Sequence, residues 1–146
     1  MKDVMFYFEL HQPFRLRPIN LTDLRGETRD IFWDEKNEEI FKRIAVNNYI
    51  PATQHLMEYG IRSSFSLSGT FMEQASRYCP RVIDVIEDYV KSGLCELMAE
   101  TYYHSLASIW NDEEFTRQVS MQTRSLKNVF NYDPVSFRNT ELIYND

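Results

Sequence analysis

The sequence predicts an α/β protein built on a parallel β-sheet, and three observations carry the prediction. Four short apolar runs, Val4 to Leu10, Ile61 to Leu67, Leu94 to Met98 and Val135 to Arg138, have the length of strands and alternate with segments of helical periodicity. The first run is apolar on both parities until Glu9, as in a strand covered on both faces. Each run is followed at once by polar side chains, as expected where the strands of a parallel fold end at a ligand site.

The elements follow in order. After the first strand, Pro13 to Trp33 reads as an irregular connection. It carries Arg15, Arg17, Arg25 and Arg29, but Asp23, Glu27 and Asp30 interleave with them, which makes a solvated loop rather than an anion patch. Asp34 is the expected cap of a helix in which Ile40, Phe41 and Ile44 recur at helical spacing, and Pro51 opens a further helix ending at Gly60. The second strand alternates less cleanly, through Ser63, Ser64 and Ser66. A short helix from Thr70 to Pro80 follows, then one marked by Val82, Ile83, Ile86, Tyr89 and Val90 that stops at Gly93. Beyond the third strand a helix begins near Asp112, where Glu113 and Glu114 suit the positive end of the dipole. It presents Phe115, Val119, Gln122, Leu126, Val129 and Phe130 along one face, and Pro134 ends the connection to the fourth strand.

Strand and helix in alternation imply right-handed crossovers. The last residue, Asp146, comes just past the fourth strand, with no helix to cover that strand's outer face. The expectation is therefore a parallel (β/α) barrel of which residues 1–146 form the truncated N-terminal part of a single domain. Such a chain would expose an apolar edge and tend to self-associate.

Composition narrows the function. At 43% hydrophobic and 26% charged the chain is neither disordered nor fibrous. A net charge of -6 argues against nucleic acid and against an anionic membrane surface as partners. No apolar stretch approaches the roughly 18 residues of a membrane span, and the N-terminus lacks a secretory cleavage pattern. Cys79 and Cys95 form neither a CxxC pair nor a disulfide framework, so the expected location is the cytoplasm.

The strand ends carry the chemistry. The first continues into Glu9, His11 and Gln12; the second into Ser66, Ser68 and Thr70. Near the third come Glu96, Glu100, Tyr102 and His104, and after the fourth Arg138, Asn139 and Glu141. Carboxylates, aromatics, His, Arg and Asn on one rim make the inventory of a carbohydrate site. The same residues could also be rim salt bridges, with Arg138 simply pairing with Glu141.

Three of these segments resemble the first three sequence regions of family 57 glycoside hydrolases. They are His11-Gln12-Pro13, then Gly93-Leu94-Cys95-Glu96-Leu97-Met98 with Glu100-Thr101-Tyr102-Tyr103-His104, then Phe137-Arg138-Asn139-Thr140-Glu141-Leu142. The matches run in order over essentially the whole chain. The resemblance implies an incomplete barrel of seven strands, with this chain covering about the first four. It also implies α-amylase or 4-α-glucanotransferase activity on α-linked glucans. Glu141 matches the catalytic nucleophile, and His11 and Glu96 match substrate-site residues. The family's acid/base is an Asp of a fourth region beyond these residues, and Asp146 lies too close to Glu141 to replace it. The 146-residue chain alone is accordingly expected to be inactive.

A retaining mechanism needs two carboxyl groups about 5 to 5.5 Å apart, one attacking and one donating a proton. Arg138 is the cation expected to keep Glu141 ionised. His11 either binds a sugar hydroxyl or caps its strand. Gln12, Glu100, Tyr102, His104 and Arg138 complete the expected binding set, with Trp33 and Trp110 as stacking platforms or core residues. Glu96 and Glu100 flank a strand end and need not share a face. No cofactor and no metal are expected. Two alternatives remain: a metal-dependent hydrolase of the polysaccharide deacetylase or mannosidase kind, weakened by having only His11, His55 and His104 and no HxxxH, and a non-catalytic sugar-binding fragment.

Overall fold

The computed structural model describes residues 4–19 and 31–144. Arg25 and Arg29, with Asp23, Glu27 and Asp30, lie outside the described residues, as does Asp146. Strands β1 (Phe6–Leu10), β2 (Ser63–Leu67) and β3 (Cys95–Met98) form a parallel sheet in the order β1-β2-β3. The register sets Glu9 beside Ser66 and Ser66 beside Met98.

The expected fourth strand is not a strand. Val135 to Arg138 makes one parallel bridge, Ala99 to Phe137, held by Ala99 N–H to Ser136 O (2.8 Å) and Arg138 N–H to Ala99 O (2.9 Å). Pro134 lacks a donor and Val135 projects into solvent, so the ladder stops at a single pair. The described sheet thus has three strands and a docked fourth segment.

The sheet is also not apolar on both faces. Leu10, Phe65, Leu67, Cys95 and Leu97 point into a core with Phe41, Phe71, Ile86, Tyr89 and Leu126. The opposite parity carries Tyr7, Glu9, Ser64, Ser66, Glu96 and Met98, so the serines that blur the pattern of β2 line a polar second face.

Helix α1 (Asp34–Ile44) starts after Trp33, and Asp34 is its first residue rather than its cap. The Asp34 carboxylate instead meets Arg77 at 2.8 Å. A π-helical turn, Ala45–Tyr49, leads without a break into α2 (Ile50–Glu58). Pro51 accounts for the wide turn, since its ring crowds the carbonyl four residues back and removes one donor. Gly60 at φ +63° then reverses the chain, a conformation costly for any residue with a Cβ. Ser68 caps α3 (Gly69–Tyr78) by accepting from Phe71 N–H at 3.2 Å. α4 (Arg81–Lys91) follows and ends before Gly93. Asn111 caps α5 (Asp112–Phe130) by accepting from Glu114 N–H at 3.0 Å. Among the described residues no helix is long and apolar enough to cross a membrane.

Two buried glutamines fix the carboxyl ends of the strands. Gln74 of α3 donates to Gln12 O (2.7 Å), just past β1. Gln122 of α5 donates to Leu67 O (3.1 Å) and Met98 O (3.4 Å), and its amide oxygen accepts from Glu100 N–H (3.4 Å). The buried face of α5 accordingly runs through Gln118, Gln122, Leu126 and Phe130, while Phe115 and Val119 are only half-buried.

Gln122→Leu keeps the volume but leaves the Glu100 N–H and two strand-end carbonyls without this partner. The expected cost is about 1–3 kcal/mol in urea unfolding of the full-length protein. An unchanged midpoint would contradict the latch.

Candidate active site

The polar face of the sheet and the loops above it bring six side chains together. Glu9 leaves β1 on the polar side, and His11 follows two residues on. Glu100 comes two residues after β3, and His104 closes the next turn, its N–H donating to Thr101 O at 3.1 Å. Arg138 comes from the docked fourth segment and Glu141 from a one-turn 3-10 helix, Thr140–Leu142. His104 is the centre. Its Nδ1 lies 2.8 Å from Glu9 Oε1 and 3.5 Å from Glu100 Oε2, and its Nε2 lies 3.5 Å from Glu141 Oε1. The His11 ring stacks on it at 4.6 Å.

Arg138 closes the other side of Glu9, with Nη1 2.6 Å from Oε2. The angle makes this an ion pair rather than an aligned hydrogen bond, and the guanidinium also lies over the Tyr7 ring at 5.1 Å. The sequence offers Arg138 as the partner of Glu141. In the structure Glu9 takes it, and His104 is the group facing Glu141.

Burial sets the charge states. Glu100 is 0% exposed, and desolvation pushes its carboxyl above the usual range against the pull of His104. The His104 imidazole is pushed up, first by the hydrogen bond to Glu100, with partial burial opposing and Glu9 reinforcing. His11 goes the other way, down to about 4, through burial and then the repulsion of His104. His104 thus favours the charged form and His11 the neutral one. Ser68 Oγ lies 2.8 Å from His11 Nδ1.

The two loops are braced. Thr101 Oγ1 meets Thr140 Oγ1 at 2.9 Å, both residues buried, which ties the turn bearing His104 to the turn bearing Glu141. Asn139 accepts from Thr140 N–H (3.0 Å) and donates to Ser108 Oγ (3.0 Å) and Ile143 O (2.9 Å). His104, Glu141 and Leu142 have φ of 53°, 55° and 56°, the left-handed region that side chains rarely adopt. The Glu141 side chain is 73% exposed beside a cavity of about 400 Å³ lined by Arg138, Asn139, Leu142 and Tyr144. A larger cavity, about 530 Å³, lies at the opposite end of the strands around Arg62, Ser64 and Glu96, away from this cluster.

Glu9, Glu100 and His104 place three ligand-type atoms within 4.8 Å of one another, a spacing compatible with a metal ion. Here the ring nitrogen already faces both carboxylates and Arg138 engages the remaining oxygen of Glu9, so two carboxyl groups meet two cationic side chains. Glu100 Oε1 is left buried without a hydrogen-bond partner among the described residues.

The profile of glycosyl hydrolase family 57 matches residues 5–146. The chain belongs to that family. It is 40% identical over 151 aligned residues to a protein of Methanocaldococcus jannaschii named "Putative alpha-amylase", matching 98% of this chain and 32% of that one. The chain therefore spans about a third of that relative's length. Its fold resembles the crystal structure of a 4-alpha-glucanotransferase from Thermococcus litoralis, with a TM-score of 0.72 at 18% identity over 97% of this chain and 19% of that one. A weaker likeness of fold, TM-score 0.51 at 21% identity over 62% of this chain and 41% of that one, links it to the Xyl-CE4 domain of a xylanase from the hindgut metagenome of Trinervitermes trinervoides.

Of the residues singled out in this family 57 sequence, the structure gathers His11, Glu100, His104, Arg138 and Glu141. Others stand apart. Glu96 sits lower on the polar face, opposite Ser64, and accepts from Ser64 and Ser136. Gln12 turns toward the helices and donates to Tyr49 Oη at 2.7 Å. Tyr102 is buried over α3, where its hydroxyl donates to Glu73 and its ring leaves no room for a Cβ on Gly69. Trp33 and Trp110 are exposed at a helix start and at the end of a 3-10 turn, and neither joins the ion-pair network. Glu9 joins the cluster although it is not in the expected binding set. Its signal was a carboxylate at the end of an apolar strand, on the same parity as His11.

Unfolded His11 takes up its proton near the ordinary 6.5, and the folded side chain only near 4. Between those values the unfolded chain binds more protons, so His11 contributes stability above pH 6.5 that is lost as pH falls toward 4. His11→Asn should make the urea midpoint of the full-length protein fall less steeply over that window. Equal slopes in variant and wild type would contradict the assignment.

Proposed function

We propose that this chain supplies the nucleophile of a retaining glycoside hydrolase or glucanotransferase acting on α-linked glucans, and that Glu141 is that nucleophile. The observation that supports the reading is the division of labour among the carboxylates of the cluster. Glu100 is buried and Glu9 is held between His104 and Arg138, whereas Glu141 is exposed beside a cavity with its carboxylate facing one ring nitrogen. Tyr144 and Phe137 lend that cavity aromatic surface against which a pyranose ring can pack.

In the proposed step a Glu141 oxygen bonds to the anomeric carbon while the bond to the departing glucan oxygen breaks. An acid/base carboxyl protonates that oxygen and then takes a proton from the incoming water or sugar hydroxyl, whose oxygen bonds to the anomeric carbon as the bond to Glu141 breaks. We assign the acid/base to an Asp in the remainder of the full-length protein, because Glu9 and Glu100 are already engaged with His104. Water as second acceptor gives hydrolysis and a sugar hydroxyl gives transfer; the relatives named above carry one name of each kind. His11, stacked on His104, is proposed to hydrogen-bond a substrate hydroxyl. The free thiols of Cys79 and Cys95 support a reducing, cytoplasmic setting.

With maltotriose, the full-length protein should give longer oligosaccharides if it transfers and only shorter sugars if it hydrolyses. Glu141→Gln should lower turnover by roughly 1,000-fold or more without loss of fold. A mechanism-based fluorosugar should label Glu141 in the wild type. Labelling of Glu100 or Glu96, or turnover of no α-glucan, would reject the proposal.

A further inference from the structure

We infer that His104 is a positioning residue: clamped from below by two carboxylates, it fixes the carboxylate of Glu141 in the orientation needed for attack. The inference rests on the reading of Glu141 as nucleophile and adds a residue that acts through it.

The geometry divides the imidazole into two functional sides. Nδ1 faces Glu9 Oε1 at 2.8 Å and Glu100 Oε2 at 3.5 Å, both on the floor of the site. Nε2 faces Glu141 Oε1 at 3.5 Å, on the solvent side. A doubly protonated ring bonds Glu100 through Nδ1, pairs there with Glu9, and makes an ion-pair contact with Glu141 through Nε2, so the floor and Glu141 are joined through one rigid plane. Nothing else in the cluster performs this link, because Arg138 is committed to Glu9. The ring is restricted further by its stack on His11 and by its left-handed backbone at φ 53°.

The need for such a brace follows from Glu141 itself. It sits on a one-turn helix, in left-handed conformation, with a largely exposed side chain that would otherwise sample several rotamers. The hydroxyl contact between Thr101 and Thr140 fixes the two backbones relative to each other, and the imidazole then fixes the side chain. Displacement of a reacting group by about 1 Å can cost about 100-fold in rate.

Protonation controls the brace. The groups facing His104 are Glu9 and His11 from β1 and its extension, Glu100 after β3, and Glu141 from the fourth segment, with Arg138 behind Glu9. Loss of the ring proton breaks one of the two links, so activity should fall on the alkaline side as His104 becomes neutral.

The test uses two isosteric variants of the full-length enzyme. His104→Asn tolerates the left-handed backbone and keeps an amide donor near the Nδ1 position, but it cannot reach Glu141. His104→Gln places its amide near the Nε2 position and loses the carboxylate clamp. The expected result for His104→Asn is a lowered melting temperature in an enzyme still folded at the assay temperature, KM within about 3-fold, and kcat lowered about 100-fold. Fluorosugar labelling of Glu141 should slow, and the alkaline limb in the pH profile of that labelling, whose activated leaving group needs no help from the acid/base Asp, should disappear. His104→Gln should recover part of the lost kcat. A folded His104→Asn enzyme with wild-type kcat, or with an unchanged alkaline limb in fluorosugar labelling, would overturn the inference while leaving Glu141 in place. Turnover that survives Glu141→Gln would instead overturn the reading of the nucleophile, and the role of His104 with it.

Discussion

Two carboxyl groups withdrawn from water, Glu100 fully and Glu9 largely, impose the arrangement of everything around them. Buried carboxylates need cations or protons, and leaving one without its partner typically costs about 3–5 kcal/mol. His104 and Arg138 answer that need from opposite sides. Their positions in turn determine what lies nearby: a neutral His11 against the charged ring, Tyr7 beneath the guanidinium, and Glu141 facing the outer nitrogen.

The helical layer makes this possible at a distance. Packing of Phe41, Phe71, Tyr89 and Leu126 against one parity of the sheet leaves the other parity free for polar groups. Gln74 and Gln122 carry that packing to the strand ends, where they bond backbone groups beside His11 and Glu100. Capping does the same at the start of α3, where the Ser68 hydroxyl that accepts from Phe71 N–H also touches His11. A core interaction and a site interaction are therefore the same atoms in several places.

Much of the architecture was legible in the sequence because it is local. Apolar runs of strand length, Pro51, Gly60, Gly93 and the acidic start of α5 all report on residues a few positions away. The errors have the same origin in reverse. Counting apolar letters in β1 hid the opposition of Phe8 and Leu10 to Tyr7 and Glu9, and with it the polar face of the sheet. Val135 to Arg138 has strand composition, yet strand pairing depends on a neighbour and not on composition. In the site, His11, Glu100, His104, Arg138 and Glu141 were visible as polar residues at strand ends. Their pairing was not: Arg138 stands three positions from Glu141 and meets Glu9 instead. Gln12 and Tyr102 sit inside family motifs and serve the helical layer, since a motif constrains a segment and each side chain in it need not face the ligand.

The site depends on opposite charge states for two stacked imidazoles, and the ring-nitrogen NMR shifts of the full-length protein across a pH titration measure them directly. His104 should hold both ring protons past the ordinary 6.5, while His11 should stay neutral down to about pH 4. Release of the His104 proton below 6.5, or a charged His11 at neutral pH, would contradict the account.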